Sequence, residues 1–283
     1  HVGSKFALRL NTNSHRSEPE LKAEVAWVQD LAVNSDLWVP RPQPLTQGGF
    51  VAELPNELLS RPLRAVLYDW LPGPLAGDKM SPEIASQFGV ALRKLHAHAG
   101  NFKFSDGATL KRLDNSLFNL PYALDNSAPD LDHGLFRTVH EQADQIMERV
   151  MREPNIPVHY DLHPGNAKWY RGKLSVFDFD DSMMGRPILD IAISAFYLRN
   201  KGLAMDEPFW QGLGGSPEDH GVTRAEFEIL VASRAVGLAN ELFRMNTASL
   251  IAIAPKYAVV VQRRLEHFKK TGVFDPTVAK LDS

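Results

Sequence analysis

Residues 158–192 read VHYDLHPGNAKWYRGKLSVFDFDDSMMGRPILDIA, and the prediction of the fold begins from them. They place His159, Asp161 and Asn166 at the spacing His-x-Asp-x-x-x-x-Asn, with Asp178 twelve positions further on. Chance alone would produce this three-residue spacing roughly 0.03 times in a chain of this composition. Residues 166–177 alternate as a hairpin does, with a turn at residues 171–173. The spacing is therefore a specific signal.

This spacing is typical of the catalytic loop of kinases, in which an Asp and an Asn act on a nucleotide-bound cation. Phosphoryl transfer requires positioning and charge neutralisation more than covalent chemistry from the protein. Asp161 is predicted to accept the proton of a substrate hydroxyl. Asn166 and Asp178 offer oxygen atoms, the ligands that Mg²⁺ prefers. Gly165 makes a tight loop between Asp161 and Asn166 plausible.

The two histidines of the loop, His159 and His163, are four residues apart, a spacing that also occurs in zinc sites. Pro164 and Gly165 interrupt any helix there, and no zincin-type Glu follows His159, so we set the zinc interpretation aside. We interpret His159 as an orienting residue held by hydrogen bonds within the loop.

The whole segment resembles the aminoglycoside phosphotransferase and choline kinase family of small-molecule kinases. It ends in the family-like pattern GxxxxDIA at residues 185–192, and LRKLH at residues 92–96 looks like the family's first C-lobe helix. The resemblance implies an α+β, bilobal protein-kinase-like fold with a small β-rich N-lobe and a mainly helical C-lobe. It also implies that Asp190 tethers the catalytic loop.

The first forty residues support the same fold. Residues 6–10 alternate as a strand, and residues 17–20 form a capping box that starts a helix running to about residue 32. Arg9 stands where kinases carry the Lys of Ala-x-Lys, and Glu24 falls inside the apolar stripe of the helix. A buried carboxylate requires a cationic partner, so an Arg9–Glu24 ion pair that holds the phosphates is predicted. Arg in place of Lys changes the geometry at the phosphates. A glycine-rich hairpin should precede Phe6, and we expect the chain to be truncated there.

Residues 64–71 are predicted to form a strand that stops at Pro72-Gly73-Pro74. The predicted N-lobe therefore covers residues 1–71 and the C-lobe residues 72–283. The predicted hinge at residues 68–71 gives Tyr68, Asp69 and Leu71 roles in binding the adenine. Trp70 is interpreted as packing. Further helices are predicted at residues 81–98, 135–150, from 188 onward, 223–243 and 254–270, with an irregular stretch at 101–132.

The acceptor side is less defined by sequence. One of Asp180 and Asp181 is predicted to meet a second Mg²⁺ or a cationic substrate group, and the other to be solvated or capping. Glu241 is a candidate for recognising an amine. Acidic residues near the reacting hydroxyl favour amine-bearing acceptors.

The bulk composition excludes several classes of protein. The net charge of −3 and the lack of a basic stripe argue against a nucleic-acid partner. No apolar run approaches the length of a membrane span. The chain has no cysteine, which excludes disulfides and suits a cytoplasmic location.

The leading hypothesis is an ATP- and Mg²⁺-dependent phosphotransferase that acts on a hydroxyl of a small molecule, with aminoglycoside-, homoserine- and choline-like acceptors all open. A protein kinase is disfavoured because no Ala-Pro-Glu segment follows Asp178 and Asp-Phe-Asp replaces Asp-Phe-Gly. The alternative is a nucleotide-binding pseudokinase that serves as a regulatory or interaction module. Arg9 favours that alternative, whereas the presence of Asp161, Asn166 and Asp178 together argues against it. The oligomeric state and the choice between ATP and GTP are left open.

Overall fold

A computed structural model describes residues 5–12, 16–55, 62–105, 108–127, 130–245 and 247–281. Its first part contains the elements β1 (Phe6–Leu10), α1 (Glu18–Asn34), β2 (Val51–Leu54) and β3 (Leu63–Asp69). The three strands form an antiparallel sheet in the order β1-β3-β2, accompanied by the long helix α1. The predicted strand at 6–10 is confirmed, whereas β2 was not predicted and β3 ends two residues earlier than expected. The hairpin expected before Phe6 falls on residues 1–4, outside the described residues.

Helix α1 begins as its sequence predicts. Ser17 is the N-cap, and its side chain and that of Glu20 exchange hydrogen bonds with the backbone in a capping box. Such a cap satisfies amide groups that have no partner inside the helix. The buried face of α1 includes Leu21, Val25 and Val28, and also Glu24, which has 0% exposure. The helix therefore carries a carboxylate into the interior.

The remainder of the described chain is mainly helical, with two short two-stranded sheets formed by β4 with β7 and by β5 with β6. This confirms the predicted α+β class. The division into a lobe of residues 1–71 and a lobe of residues 72–283 stays a prediction. The elements are α2 (Pro82–Ala99), α3 (Leu124–Ser127), α4 (His133–Val150), β4 (Ile156–Val158), β5 (Ala167–Tyr170), β6 (Lys173–Val176), β7 (Met183–Gly185), α5 (Pro187–Leu198), α6 (Asp206–Leu213), α7 (Arg224–Leu242) and α8 (Ala248–Thr271).

The start of the last helix differs from the prediction. Helix α8 begins at Ala248, about two turns before the expected residue 254, and continues through Pro255. Proline removes one helical hydrogen bond, here the one to the carbonyl of Ile251. Ile251 is 54% exposed, so water can satisfy that carbonyl and the helix tolerates the proline.

Two contacts fix α1 and its following loop against the C-terminal hairpins. The ring of Trp27 on α1 packs edge-on against Phe179 at 5.5 Å between centroids. Farther along, the backbone amide of Val176 donates to the carbonyl of Trp38 at 2.9 Å. One set of buried apolar side chains runs from α1 through these hairpins to α7. Within the described residues, the helices lack the length and apolar character needed to cross a bilayer.

Candidate active site

A cavity of about 390 Å³ opens between the N-terminal sheet and the C-terminal hairpins. On one side it is lined by β1, α1 and the end of β3, and on the other by β5 and residues 177–179. Six residues predicted from the sequence line this one cavity: Arg9, Glu24, Tyr68, Asp69, Leu71 and Asp178. Sites of this size and composition are typical of cofactor pockets.

Arg9 and Glu24 form the predicted ion pair. Arg9 donates from Nη1 to Glu24 Oε1 at 2.5 Å and from Nη2 to Glu24 Oε2 at 2.9 Å. The Nε atom of Arg16 lies 3.7 Å from Glu24 Oε2 and adds a second positive charge. Burial alone would lower the pKa of Arg9, but the charge and hydrogen bonds of Glu24 outweigh it and raise that pKa. The guanidinium stays charged beside the cavity, and its 22% exposed side chain is accessible from it.

The backbone that leads into Asp161 is held by Asp190, as the sequence predicts. Asp190 is wholly buried and accepts from the amides of His159 at 3.1 Å and Tyr160 at 2.9 Å, while His96 Nε2 lies 3.0 Å from its Oδ2. Tyr160 has φ = 63°, a left-handed conformation that costs an ordinary residue about 1–2 kcal/mol. Two hydrogen bonds to a carboxylate, each contributing about 1.5–3 kcal/mol, offset that strain. Asp190 therefore fixes the loop without entering the cavity.

His159 orients the loop from inside. Its Nε2 lies 3.1 Å from the carbonyl oxygen of Phe177, and its Nδ1 accepts from the amide of Asp161 at 3.3 Å. This network assigns the proton to Nε2, which donates to Phe177. The imidazole is completely buried and packs against Phe179, with 4.6 Å between ring centroids. Its predicted orienting role is confirmed, because both nitrogens are engaged by backbone groups.

Asp161 and Asn166 meet across the loop. Asn166 Nδ2 donates to both the carbonyl oxygen and Oδ2 of Asp161, at 3.0 Å each. Gly165 lies in the turn between them, and a Cβ atom there would lie 2.6 Å from His163 Cε1, so a larger residue would force the His163 ring to move. Burial alone would raise the pKa of Asp161, but the hydrogen bond from His163 and the charge of Arg234 outweigh it and lower that pKa. Asp161 is therefore held as a carboxylate.

Asp178 lines the cavity, whereas Asp161 and Asn166 are not among its lining residues. The amide of Phe177 donates to the carbonyl of Asn166 at 3.0 Å, which brings the two segments together. Asp178 adopts φ = 63°, a conformation that Asp tolerates better than most residues, and is exposed. Both amide hydrogens of Asn166 point to Asp161, so its Oδ1 remains as an oxygen ligand.

This donor set fits Mg²⁺, which usually takes one or two protein oxygens together with phosphates and water. Among the described residues, no group of three His, Cys, Asp or Glu could enclose a metal ion without other ligands. Asn166 and Asp178 would hold the cation, and the cation would neutralise charge on the transferring phosphate.

The predicted hinge contains a feature that the sequence did not indicate. Lys168 Nζ donates to the carbonyl of Leu71 at 2.9 Å and lies 3.9 Å from the ring centroid of Trp70. Trp70 is 48% exposed and lines the cavity, and its interpretation as packing stays a prediction. The Asp69 carboxylate accepts from Gln43 Nε2 at 2.9 Å. Burial raises the pKa of Tyr68, which remains neutral.

The buried guanidinium of Arg234 contacts the carboxylate of Asp161. Arg234 on α7 donates from Nη2 to Asp161 Oδ1 at 2.6 Å and to the Tyr197 hydroxyl at 2.9 Å. Partial desolvation and the charge of Asp161 raise the pKa of Asp181 to about 7, although the side chain is exposed to solvent. Burial also raises the pKa of Glu241, with Arg234 opposing and Asp161 reinforcing the shift. Asp161, Asp181 and Glu241 therefore all lie within the electrostatic influence of Arg234.

Asp180, by contrast, pairs with the N-terminal part of the chain. Its backbone carbonyl accepts from Arg16 Nε, and its Oδ1 lies 3.5 Å from that atom. Arg16 Nη2 also donates to the carbonyl of Ser182 at 2.7 Å. Arg16 thus joins the region of Glu24 to the segment after Asp178. The prediction that one of Asp180 and Asp181 is solvated or capping does not fit Asp180, which pairs with Arg16.

Sequence reasoning missed Arg234, Arg16 and Lys168. Arg234 carried a usable signal, because it is a lone charge within the apolar run ILVASRAVGLA at residues 229–239. The same argument identified Glu24. Arg16 and Lys168 sit in polar surroundings that give no comparable signal.

Amicoumacin kinase from Bacillus subtilis (strain 168) is 26% identical to this chain over 194 residues, 66% of this chain and 55% of that protein. The chain thus spans about half the length of that relative. Two solved structures share the fold. The structure of a microcompartment-associated aminopropanol kinase has a TM-score of 0.76 at 16% identity, covering 97% of this chain and 89% of the other. Amicoumacin kinase hAmiN in complex with AMP-PNP, Ca²⁺ and Ami has a TM-score of 0.73 at 18% identity, covering 97% and 85%.

The strand-rich N-terminal part and helical C-terminal part of this chain thus form the kinase-like fold that the sequence predicted. The profile of the phosphotransferase enzyme family (APH) matches residues 1–225, well over half of the chain. The chain belongs to the phosphotransferase enzyme family.

Proposed function

We propose that this protein is an ATP- and Mg²⁺-dependent kinase that phosphorylates a hydroxyl group of a small, amine-bearing molecule. The observation that carries the proposal is twofold: Asp178 lines the same cavity as the Arg9–Glu24 pair, and the backbone hydrogen bond from Phe177 to Asn166 joins its segment to the Asp161–Asn166 pair. A phosphotransferase requires a base, cation ligands and a phosphate-binding cation in this relation.

Each group then has a role in the transfer. Arg9, kept in place by Glu24, neutralises phosphate oxygens of the nucleotide. Asn166 and Asp178 would hold Mg²⁺, which when bound would supply charge stabilisation at the phosphates. Asp161 accepts a hydrogen bond from the acceptor hydroxyl and takes its proton as the new oxygen–phosphorus bond forms and the bond to ADP breaks. Residues 68–71, which include Trp70, would hold the adenine ring of the nucleotide at the opposite end of the cavity.

The charge on the acceptor side supports an amine-bearing acceptor. The charge of Asp161 raises the pKa of both Asp181 and Glu241, and the charge of Arg234 opposes the shift at each of them. An ammonium group would offset the remaining negative charge. One of the solved structures is a kinase of aminopropanol, which is itself an amino alcohol. Aminoglycoside-, homoserine- and choline-like compounds all fit this description.

One observation favours the alternative of a nucleotide-binding pseudokinase. Asp161 Oδ1 already accepts from Arg234, so the base is partly occupied. The two functions differ in turnover, since a pseudokinase binds ATP without consuming it. The cytoplasmic location inferred from the lack of cysteine stays a prediction.

The test is ADP release by the purified protein with ATP, Mg²⁺ and a panel of aminoglycosides, homoserine, choline and short amino alcohols. We expect acceptor-dependent turnover that Asp161→Asn lowers by about 10³-fold, the scale on which positioned proton transfer acts. The matched control is Asp219→Asn, a capping carboxylate that accepts from Ser216 on the surface. ATP binding without turnover across the panel would favour the pseudokinase.

A further inference from the structure

Arg234 makes an unusual set of contacts for a buried arginine. It is 7% exposed, its guanidinium lies 4.3 Å above the ring of Phe118, and its Nη2 atom bonds both Asp161 and Tyr197. Its Nε atom is buried and has no hydrogen-bond partner among the described residues. Among the described residues, one guanidinium nitrogen thus makes both hydrogen bonds of Arg234, and one of them is to Asp161, the predicted catalytic base.

A second buried arginine shows what a purely structural guanidinium looks like in this fold. Arg199 is 1% exposed and donates from Nε, Nη1 and Nη2 to Asp206, Glu228 and the carbonyl of Phe274. Each of its nitrogen atoms has a partner, as expected where the fork stabilises the packing of neighbouring elements. Arg234 does not follow that pattern, because its strongest contact is with a side chain at the active site.

The Asp161 carboxylate is held at both of its oxygen atoms. Oδ1 accepts from Arg234 at 2.6 Å, while Oδ2 accepts from Asn166 at 3.0 Å and lies 3.4 Å from His163 Nε2. A carboxylate has about four lone-pair sites, so one remains available for an acceptor hydroxyl. If Arg234 is removed, Asp161 Oδ1 loses the hydrogen bond from Nη2 of that residue. The Asp161 carboxylate can then rotate about the Cβ–Cγ bond.

We infer that Arg234 is a positioning residue. It fixes the orientation in which the Asp161 carboxylate accepts the proton of the acceptor hydroxyl. The inference rests on the proposed function. Lys would not substitute fully, since its compact ammonium cannot match the length and plane of the guanidinium.

The test compares Arg234→Ala and Arg234→Lys with the wild type by steady-state kinetics. For Arg234→Ala we expect kcat to fall by about 100-fold, the effect of misplacing a reacting group by about 1 Å, with the KM for ATP unchanged. Arg234→Lys should retain part of the rate. A cavity of about 20 Å³ already adjoins Arg234, and truncation to Ala enlarges it. Guanidinium chloride at sub-denaturing concentration should therefore restore part of the kcat of Arg234→Ala.

Arg199→Lys is the matched control. It alters an equally buried guanidinium away from Asp161, and we expect a lower Tm with unchanged kcat and no response to guanidinium. If Arg234→Ala does not fold, Arg234→Lys carries the test through its split between kcat and KM.

The inference is overturned if the Arg234 variants fold and keep the wild-type kcat, or if kcat rises because the arginine blocks the base. The inference is also overturned if guanidinium fails to restore the kcat of Arg234→Ala and Arg199→Lys loses as much kcat as Arg234→Ala does. A wild-type protein without turnover on any acceptor refutes the proposed function and the inference with it, and that result is distinguishable because it precedes any comparison of variants.

Discussion

The ion pair between Arg9 and Glu24 makes a quantitative prediction about Arg9→Met. The substitution keeps most of the apolar stem and removes the guanidinium. Among the described residues, Glu24 would then retain as its cationic partner Arg16, whose Nε atom lies 3.7 Å from Oε2, in place of two hydrogen bonds at 2.5 and 2.9 Å. Glu24 is wholly buried, so water cannot take over the lost contacts.

The size of the effect follows from these contacts. Removing one partner of a buried pair costs about 3–5 kcal/mol. Arg9 is partly exposed and Arg16 compensates for part of its charge, which lowers the expected loss to about 2–3 kcal/mol. A domain of this size shifts by about 2 °C per kcal/mol, so the Tm should fall by about 5 °C.

The assay is thermal unfolding of the wild type, Arg9→Met, Arg9→Lys and the double variant Arg9→Met with Glu24→Gln. Arg9→Lys should lower the Tm less than Arg9→Met does, because one ionic contact with Glu24 survives. The double variant should recover part of the loss, with a coupling energy of about 2 kcal/mol. A Tm of Arg9→Met within about 1 °C of the wild type would refute this reasoning, since no buried charge would then have been left unpaired.

Three further predictions concern ligands. Asp178→Asn should abolish the Mg²⁺-dependent part of ATP stabilisation, which is about 5 °C at 100 times Kd and is read by thermal shift with and without EDTA; an equal shift in the variant would contradict its role as a metal ligand. Because the pKa of Asp181 is about 7, the side chain becomes an anion as pH rises through that value, and the KM for an amino alcohol should fall. Asp181→Asn should flatten that dependence, and an unchanged slope would assign it to another group. Trp70 should report nucleotide binding by a change in fluorescence, which Trp70→Phe removes; a full signal in the variant would place the base elsewhere.

The elements predicted well from the sequence are those specified by neighbouring residues. The capping box at Ser17, the alternation of β1 and the hairpin after Asn166 depend on residues close together in the chain. The Arg9–Glu24 pair was predictable although its members are 15 residues apart, because a carboxylate on an apolar helix face needs a cation and one was available.

The features that escaped prediction depend on distant contacts. Arg234 and Asp161 are 73 residues apart, and spacing gives no indication that α7 brings the guanidinium to the base. Strand β2 has four residues and forms only by pairing with β3. Lys168 reaches Leu71 across 97 residues, and its position over Trp70 follows from how β5 packs beneath the hinge.

The most direct test of the central claim is a crystal structure of this protein with Mg²⁺ and a non-hydrolysable ATP analogue. The proposal predicts one cation bound by Asn166 Oδ1 and the Asp178 carboxylate, with the γ-phosphate directed toward Asp161 and phosphate oxygens bonded to Arg9. A nucleotide bound outside the cavity, or a cation held without Asn166 and Asp178, would contradict it.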